Sequence, residues 1–443
     1  MEKSSKQKPI HPKLQFSFKN ALVYNLGCPK NLVDSERLCS LLTIKGIKIH
    51  KTFDSVIDSI WVNSCCFIQS AREETITTIK QYASCANAKV IVFGCYANRY
   101  PHELRNLFPE MIIIDEKDPI AYLSTIWDGS PTDPIQRNLS NPFSAYLKIA
   151  DGCDRACSFC IIPSIKGPYF SIPIHHLLQE VKTLCHQYPI KELNIIAQDT
   201  SRYGNDIKPT SLNLIDLVSQ ISDNYDIPWI RVMYLFPSLE FDFIDQLLSI
   251  PRVVPYLDMP MQHVSPKILS LMNRPNNFEQ TVQTLQKLRK KHPDLALRST
   301  FIVGFPGETH NDFERLCEFL NDFRFERCGF FAYSDENDAP SYHLPDKVPS
   351  DIAQERLHKA YQIQHDIQKV NNKKFIGCQI PVLIERWNGI KKELIGRTVW
   401  DAPEIDQEVV ITNLSPRFSQ KKGDILPVTI INSDACVMEG SLS

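Results

Sequence analysis

Short apolar runs alternate with amphipathic stretches along the first third of the chain. Four runs predict buried strands, at 21–25, 59–63, 89–93 and 111–114. Stretches of helical character begin near Ser35 and near Ala71. Because strands that alternate with helices are typical of a parallel, doubly wound sheet, we expect an α/β domain over 20–127.

A second series of strand-like runs follows a loop rich in Pro, Ser, Asn and Asp at 128–142, which we interpret as a linker. Helix-like segments separate these runs, the longest at about 265–291. Six units fit a partial β/α barrel over 143–350 better than a closed eight-unit barrel. The six predicted strands are 146–150, 193–197, 230–235, 256–259, 297–303 and 329–333.

The pattern of apolar and charged residues changes in the last part of the chain. A charged segment without breakers at 351–372 predicts one linking helix. Short β-like runs then predict a small all-β barrel over 373–443. The polar residues 1–19 are expected to form a disordered tail. The runs of the predicted barrel are 379–384, 393–398, 408–411 and 426–431.

Composition narrows the class of protein. A net charge of −2 over 443 residues argues against a protein that binds nucleic acid mainly by neutralising phosphates. The polar N-terminus predicts no secretory signal, and no run of ~18 apolar residues predicts a membrane span. Fourteen cysteines in such a chain indicate a reducing compartment. We therefore expect a cytoplasmic protein with no membrane partner.

The cysteines Cys153, Cys157 and Cys160 carry the strongest chemical signal. Thiolates at this spacing suit an iron–sulfur cluster or zinc. Three thiolates on a four-iron cluster leave one iron free for another ligand. The alternative interpretation is a zinc knuckle, or three unrelated buried thiols.

A second set, Cys28, Cys65 and Cys95, is spread along the first domain. Each residue falls just after a predicted strand, and strand ends of one polarity meet at one edge of a parallel sheet. The three thiols can therefore converge on one metal site, although each could also be an isolated core thiol. Three further cysteines on helix-like stretches are predicted to be such core thiols: Cys39, Cys85 and Cys185.

The triplet, with Phe159 before its last cysteine, resembles the radical S-adenosylmethionine enzymes. Over about 20–435 the chain resembles the methylthiotransferase family of that superfamily, and most closely its members that modify ribosomal protein uS12. At 65–68, Cys65 matches the family's ligand, whereas Cys66 stands where glycine is usual. The resemblance rests on four segments: 27–36 (GCPKNLVDSE), 65–68 (CCFI), 197–204 (AQDTSRYG) and 401–406 (DAPEID).

The resemblance implies fold, cofactors and reaction. It implies a radical S-adenosylmethionine barrel in the centre and a TRAM barrel at the C-terminus. It also implies hydrogen abstraction from the β-carbon of a uS12 aspartate, sulfur insertion, and an electron donor such as flavodoxin or ferredoxin. S-adenosylmethionine would bind with two four-iron four-sulfur clusters, a radical cluster on Cys153, Cys157 and Cys160 and an auxiliary cluster on Cys28, Cys65 and Cys95.

Further residues are predicted to contact the cofactor. Gln198 and Asp199 end the second barrel strand, although a capped loop would also explain them. Gly304 and Gly307 end the fifth strand, where glycine permits close approach of a ligand or merely a tight turn. Relatives usually have Arg-Gly-x-x-Arg-Ser-Arg after the triplet, but this chain has Lys166, Phe170 and Ile172 at the arginine positions. Lysine does not replace arginine at a bidentate site.

A transfer-RNA methylthiotransferase is the nearest alternative function. An RNA-gripping barrel should be basic, yet 373–443 contains nine Lys and Arg and nine Asp and Glu. We therefore expect a basic protein partner, uS12, rather than transfer RNA. Its predicted contacts are Asp401, Glu404 and Asp406. A more distant alternative is a non-catalytic zinc or redox-sensing thiol protein.

Overall fold

The computed structural model describes residues 18–442 except 85–87, 129–135, 210–211, 276, 413, 415–417 and 419–420. The chain divides into two compact units, Met1–Asn138 and Leu139–Ser443, which we describe separately. Most of the predicted tail and Cys85 lie outside the described residues, as does half of the predicted linker. Within the described residues, no helix is long and apolar enough to cross a membrane.

The first unit is a five-stranded parallel sheet in the order β2-β1-β3-β4-β5. Helices α1 and α5 pack on Trp61, Ile91 and Phe93 on one face, while α2 contacts β3 and β4. The strands are β1 Asn20–Asn25, β2 Lys48–His50, β3 Ser59–Ser64, β4 Lys89–Gly94 and β5 Ile112–Ile113. The helices are α1 Pro29–Ile44, α2 Gln69–Ala83, α3 Cys95–Arg99, α4 Pro101–Leu107 and α5 Pro119–Asp128.

The second unit begins with the predicted partial barrel. Six parallel strands form two three-stranded sheets, β10-β9-β6 and β11-β12-β13. A hydrogen bond from Leu235 N to Asp258 O (3.0 Å) joins the sheets. The strands are β6 Ser144–Lys148, β9 Glu192–Ile196, β10 Trp229–Val232, β11 Tyr256–Asp258, β12 Ala296–Val303 and β13 Arg327–Ala332, and β7 Ala150–Asp151 pairs with β8 Phe170–Ser171.

Helices cover the outside of this partial barrel. Capping boxes start two of them, with Asn213 and Asp216 at α8 and with Thr309 and Asp312 at α12. The helices are α6 Ile162–Lys166, α7 Ile174–Gln187, α8 Leu214–Asn224, α9 Phe241–Ser249, α10 Pro266–Leu271, α11 Phe278–Lys291 and α12 His310–Phe323. Short 3₁₀ helices lie at Thr200–Arg202, Pro340–His343 and Lys373–Phe375.

The single helix predicted at about 265–291 is wrong. The structure breaks it into α10 and α11, and Asn273 between them adopts a left-handed φ of 52°. Pro275 supplies the reason, because proline disfavours helical conformation in the residue before it. The break leaves Arg274 outside regular structure.

The linking helix α13, Ser350–Asn372, leads into a closed barrel with the strand order β14-β15-β16-β18-β17. Nine buried apolar side chains, among them Val382, Val409 and Met438, fill its centre. The sequence did not predict β18, in which Glu439 and Gly440 interrupt the apolar pattern. The strands are β14 Gln379–Asn388, β15 Glu393–Thr398, β16 Glu408–Ile411, β17 Ile425–Ser433 and β18 Val437–Ser441.

Buried ion pairs join the two barrels of the second unit. Glu192, at the start of β9, is fully buried and accepts hydrogen bonds from Arg231 of β10 (Nη2, 2.9 Å) and from Arg397 of β15 (Nη1, 2.9 Å). Burial opposes ionisation of Glu192, but the two guanidinium groups outweigh it and lower its pKa to about 2. Each charge therefore depends on the others.

Candidate functional site

Three strand ends of the first unit carry Cys28, Cys65 and Cys95. Cys28 caps α1, Cys65 follows β3, and Cys95 begins α3 directly after β4. Strands β1, β3 and β4 are neighbours in the sheet, so these ends lie side by side. The strand-end convergence predicted from the topology is present; the assignment of the thiols as cluster ligands stays a prediction.

Asn31 connects two of these thiols. Its Oδ1 lies 4.0 Å from Cys28 Sγ and 3.7 Å from Cys95 Sγ. Its Nδ2 donates to the carbonyl oxygens of Leu26 (3.0 Å) and Ser64 (3.3 Å), which fixes the amide. The two sulfur atoms are therefore no farther apart than the sum of the two Oδ1 distances.

Gly27 brings Cys65 into the same group. A Cβ on Gly27 would lie 3.0 Å from Cys65 Cβ and 3.2 Å from Asn31 Nδ2, and its φ of 103° also favours glycine. Burial raises the pKa of the Cys65 thiol, and the Cys28 thiolate adds to this effect. The absent side chain thus permits the close approach of the three cysteines.

Cys66 has different surroundings from its neighbour Cys65. It is fully buried, and Arg99 Nη1 donates to its carbonyl oxygen at 3.2 Å. Burial raises the pKa of the Cys66 thiol to about 12, against the attraction of Arg99. This residue is suited to packing, and it provides a matched control for Cys65.

The loop between β7 and α6 carries Cys153, Cys157 and Cys160. Cys153 N donates to Gly167 O (3.1 Å), and Cys160 N donates to Cys157 O (3.1 Å). At Gly152, with φ 71°, a Cβ would lie only 2.1 Å from Pro168 O, so the loop needs glycine there. Burial raises the pKa of the Cys160 thiol to about 12, and the Cys157 and Cys153 thiolates add to this increase.

Asp199, a predicted cofactor contact, reaches this loop through Arg155. Arg155 Nε donates to Asp199 Oδ2 (2.8 Å), and the Arg155 backbone N–H donates to Cys153 Sγ (3.4 Å). Asp199 also accepts from Ser201 N (3.1 Å), which caps the 3₁₀ helix. In the described structure Asp199 therefore positions Arg155, and its contact with cofactor stays a prediction.

Gln198, also a predicted cofactor contact, lies beside a charged cluster. Its Nε2 donates to Asp151 Oδ1 (3.0 Å), whereas its buried Oε1 accepts no hydrogen bond from the described residues. Burial opposes ionisation of Asp151, yet Lys148 (3.2 Å) and Lys166 (3.8 Å) hold its pKa below the usual range. An acceptor without a partner next to the loop is free to bind a donor from a ligand.

The departures from the family pattern have distinct surroundings. Lys166 belongs to the buried pair with Asp151, Phe170 is half exposed, and Ile172 packs against the barrel core. Phe170 and Ile172, at two of the positions where the family resemblance predicts arginine, are apolar and provide no charge at the loop.

The two predicted glycine contacts pack against protein atoms. A Cβ on Gly304 would lie 2.5 Å from Ala353 Cβ of α13, and one on Gly307 would lie 3.1 Å from Leu271 Cδ1. The Gly304 N–H donates to Glu308 Oε2 at 2.8 Å. The close approach at Gly304 is therefore to α13, and cofactor contact by either glycine stays a prediction.

The predicted acidic surface requires correction. Asp401 is fully buried and accepts from Arg327 Nε (2.7 Å). Asp406 accepts from Tyr256 Oη (2.7 Å) and lies 3.4 Å from Arg298 Nε. Asp401 and Asp406 belong to the C-terminal barrel, whereas Arg327 and Arg298 belong to strands β13 and β12 of the partial barrel. The two carboxylates therefore join the two barrels. Only Glu404 of the predicted set is exposed.

Two residues of these sites were missed from the sequence. Asn31 lies within the 27–36 segment, in which only Cys28 carries a recognisable ligand signal. Arg274, whose Nη1 lies 3.7 Å from Cys157 Sγ, falls within the segment 265–291 that was predicted to be one helix. The Asn273-Arg274-Pro275 run was the available signal, because asparagine and proline together indicate a break.

The donor chemistry of both cysteine sets fits iron–sulfur clusters, because cysteine thiolates are their usual ligands. Among the described residues, no three His, Cys, Asp or Glu side chains lie close enough to share a single metal ion. A four-iron cluster has a different requirement, since each thiolate binds a separate iron.

Comparison with known proteins agrees with this organisation. The model of the radical SAM superfamily matches residues 147–320. The model of the uncharacterized protein family UPF0004 matches residues 20–115, and the model of the TRAM domain matches residues 376–442. The chain is 38% identical over 445 residues to the ribosomal protein uS12 methylthiotransferase RimO of Proteus mirabilis, covering 94% of this chain and 96% of that protein. The chain belongs to the RimO family.

RimO of Chlorobium luteolum is 37% identical over 96% of this chain and 97% of its own length. Among solved structures, the radical S-adenosylmethionine methyltransferase TsrM from Kitasatospora setae, with cobalamin and a [4Fe-4S] cluster bound, has 15% identity and a TM-score of 0.49 over 71% of this chain and 75% of TsrM. Radical S-adenosylmethionine methylthiotransferases, the class to which the RimO family belongs, use S-adenosylmethionine and four-iron four-sulfur clusters.

Proposed function

We propose that this protein methylthiolates the β-carbon of an aspartate in ribosomal protein uS12. The observation that carries the proposal is the RimO relationship along nearly the whole chain, together with the two cysteine sets that this sequence contains. We assign the auxiliary cluster to the domain 20–127, the radical cluster to 143–350, and the TRAM barrel to 373–443.

The target bond explains why a cofactor is needed. The β-carbon of aspartate has no proton acidic enough for an ordinary side-chain base, so acid–base residues cannot activate it. S-adenosylmethionine and the two clusters would supply the radical chemistry and the inserted sulfur when bound.

The chain's own residues hold and orient these groups. Cys153, Cys157 and Cys160 would bind the radical cluster, and Cys28, Cys65 and Cys95 the auxiliary cluster. The buried Oε1 of Gln198 accepts no hydrogen bond from the described residues and lies beside the loop that carries Cys153. Arg155 and Asp199 fix the backbone next to Cys153.

Partners and location follow from this function. The reaction requires a one-electron donor, for which flavodoxin or ferredoxin is suited. A ribosomal substrate and free thiols favour the cytoplasm. Of the three predicted acidic contacts, Glu404 is exposed and is available for contact with basic uS12.

The test uses full-length protein reconstituted with iron and sulfide under anaerobic conditions. It is incubated with S-adenosylmethionine and dithionite, and with either uS12 or transfer RNA. We expect a methylthio mass gain on one uS12 aspartate. Wild-type protein without S-adenosylmethionine is the control.

A methylthio group on transfer RNA and none on uS12 would contradict the proposed substrate. A colourless protein that binds zinc and does not cleave S-adenosylmethionine would contradict the reaction itself.

A further inference from the structure

Arg274 reaches the Cys157 thiol from the break between α10 and α11. Its Nη1 lies 3.7 Å from Cys157 Sγ, within hydrogen-bonding distance for sulfur. Its Nη2 donates to Pro260 O (2.6 Å), and its guanidinium carbon lies 4.1 Å from the centre of the Phe236 ring. The side chain is thus held on two sides while it faces the thiol.

The charge of Arg274 lacks an ordinary partner. The residue is only 9% exposed, yet it forms no ion pair with a carboxylate within the described part of the chain. The nearby carboxylate of Asp199 pairs with Arg155 instead. A buried cation without an anion is costly, so the position favours an anionic group at the Cys157 sulfur.

We propose that Arg274 raises the reduction potential of the cluster that Cys153, Cys157 and Cys160 bind. The inference rests on the proposed function, because it requires this loop to hold the cluster. A cluster that accepts one electron gains one negative charge. A hydrogen bond to its sulfur ligand and a nearby cation stabilise that reduced form more than the oxidised form. Arg274 would thus act on the cluster indirectly, because it holds a positive charge beside the sulfur ligand Cys157.

The experiment measures the midpoint potential of the radical cluster alone. Full-length protein with Cys28→Ala, Cys65→Ala and Cys95→Ala removes the auxiliary cluster. Reductive titration with dithionite, which supplies the electron, is followed by electron paramagnetic resonance. Iron content and melting temperature are measured on the same samples.

Arg274→Gln and Arg274→Met are compared in this background. We expect either neutral variant to be harder to reduce by at least about tenfold at a fixed potential, which corresponds to about 59 mV for one electron. Arg274→Lys restores the charge without the planar donor pair, and an intermediate potential is expected. Arg252→Gln, a partly exposed position paired with Asp226, serves as the matched control with an unchanged potential.

An unchanged potential in a neutral variant with full iron content would overturn the inference. If neither neutral variant retains iron, Arg274→Lys decides: a lower midpoint supports the inference, and the wild-type midpoint overturns it. A merely structural role would change the melting temperature or iron content without this shift. A parent protein that binds no iron at all would instead contradict the proposed function, and this inference with it.

Discussion

One loop supplies Cys153, Cys157 and Cys160, whereas three separate strand ends supply Cys28, Cys65 and Cys95. The loop set depends on local geometry, such as the close approach of Gly152 to Pro168. The strand set depends on the order of a whole sheet, because its members meet only when β1, β3 and β4 pair. Two similar sets of three thiols can therefore be held together by different parts of a structure.

The difference extends to the groups that surround the thiols. In the first unit, the neutral amide of Asn31 lies between two sulfurs. In the second, the charged guanidinium of Arg274 contacts one. We therefore expect the two proposed clusters to respond differently to substitution.

Cys157→Ala should have the largest effect. Removing one of three thiolates should prevent binding of the radical cluster, so cleavage of S-adenosylmethionine should cease completely. Quantification of 5′-deoxyadenosine measures this, and iron analysis should show retention of the auxiliary cluster. Cleavage at the wild-type rate would exclude Cys157 as an essential ligand.

Cys65→Ala should have a narrower effect. Loss of an auxiliary ligand should spare S-adenosylmethionine cleavage and stop formation of methylthiolated uS12. Both products are measured in one reaction by mass spectrometry. Cys66→Ala, the adjacent buried thiol, is the control and should retain both. If Cys65→Ala lost cleavage as well, the proposed division between the two clusters would be wrong.

Glu192→Gln should leave both ligand sets in place but destabilise the second unit. It leaves Arg231 buried without its carboxylate partner, while Arg397 keeps its ion pair with Glu385. Breaking a buried ion pair in this way costs about 3–5 kcal/mol. Urea unfolding near pH 7, followed by fluorescence, measures the difference in the free energy of unfolding between wild type and Glu192→Gln. Equal stability of both proteins at this pH would show that the buried pair contributes nothing.

The effect of Glu192→Gln on stability should depend on pH. The folded pKa of Glu192 is about 2, below its ordinary 4.5, so its contribution is fully present above pH 4.5. It is lost as the pH falls from about 4.5 to about 2, because the unfolded chain then binds the proton more readily. The stability gap between wild type and Glu192→Gln should narrow over this range, and a gap that widens would contradict the assignment.

The sequence was sufficient where a signal is local or where topology repeats. Alternating strands and helices predicted the order of the domains, and strand ends predicted the proximity of Cys28, Cys65 and Cys95. The sequence did not predict the strands β2 and β18, because β2 contains only one apolar residue, Ile49, and Glu439 interrupts the apolar pattern of β18.

Long-range charge pairing was the main feature that the sequence could not provide. Acidic residues are usually exposed, so Asp401 and Asp406 were predicted on the surface. Their partners Arg327 and Arg298 are distant in the chain, and nothing in the local pattern connects them. Arg274 was missed for the related reason that its contact with Cys157 depends on the path of the chain after Pro275.

The Glu192 cluster limits how freely the C-terminal barrel can be exchanged between proteins. A boundary drawn after α13 separates two recognisable sequence modules, but it cuts through Arg397–Glu192 and Arg327–Asp401. Without an arginine and an aspartate at these same positions in the transplanted barrel, Arg327 would remain buried without the carboxylate of Asp401, and Glu192 would keep Arg231 but lose its second guanidinium partner. In this chain, exchange of the C-terminal barrel at that boundary is therefore constrained by electrostatic matching.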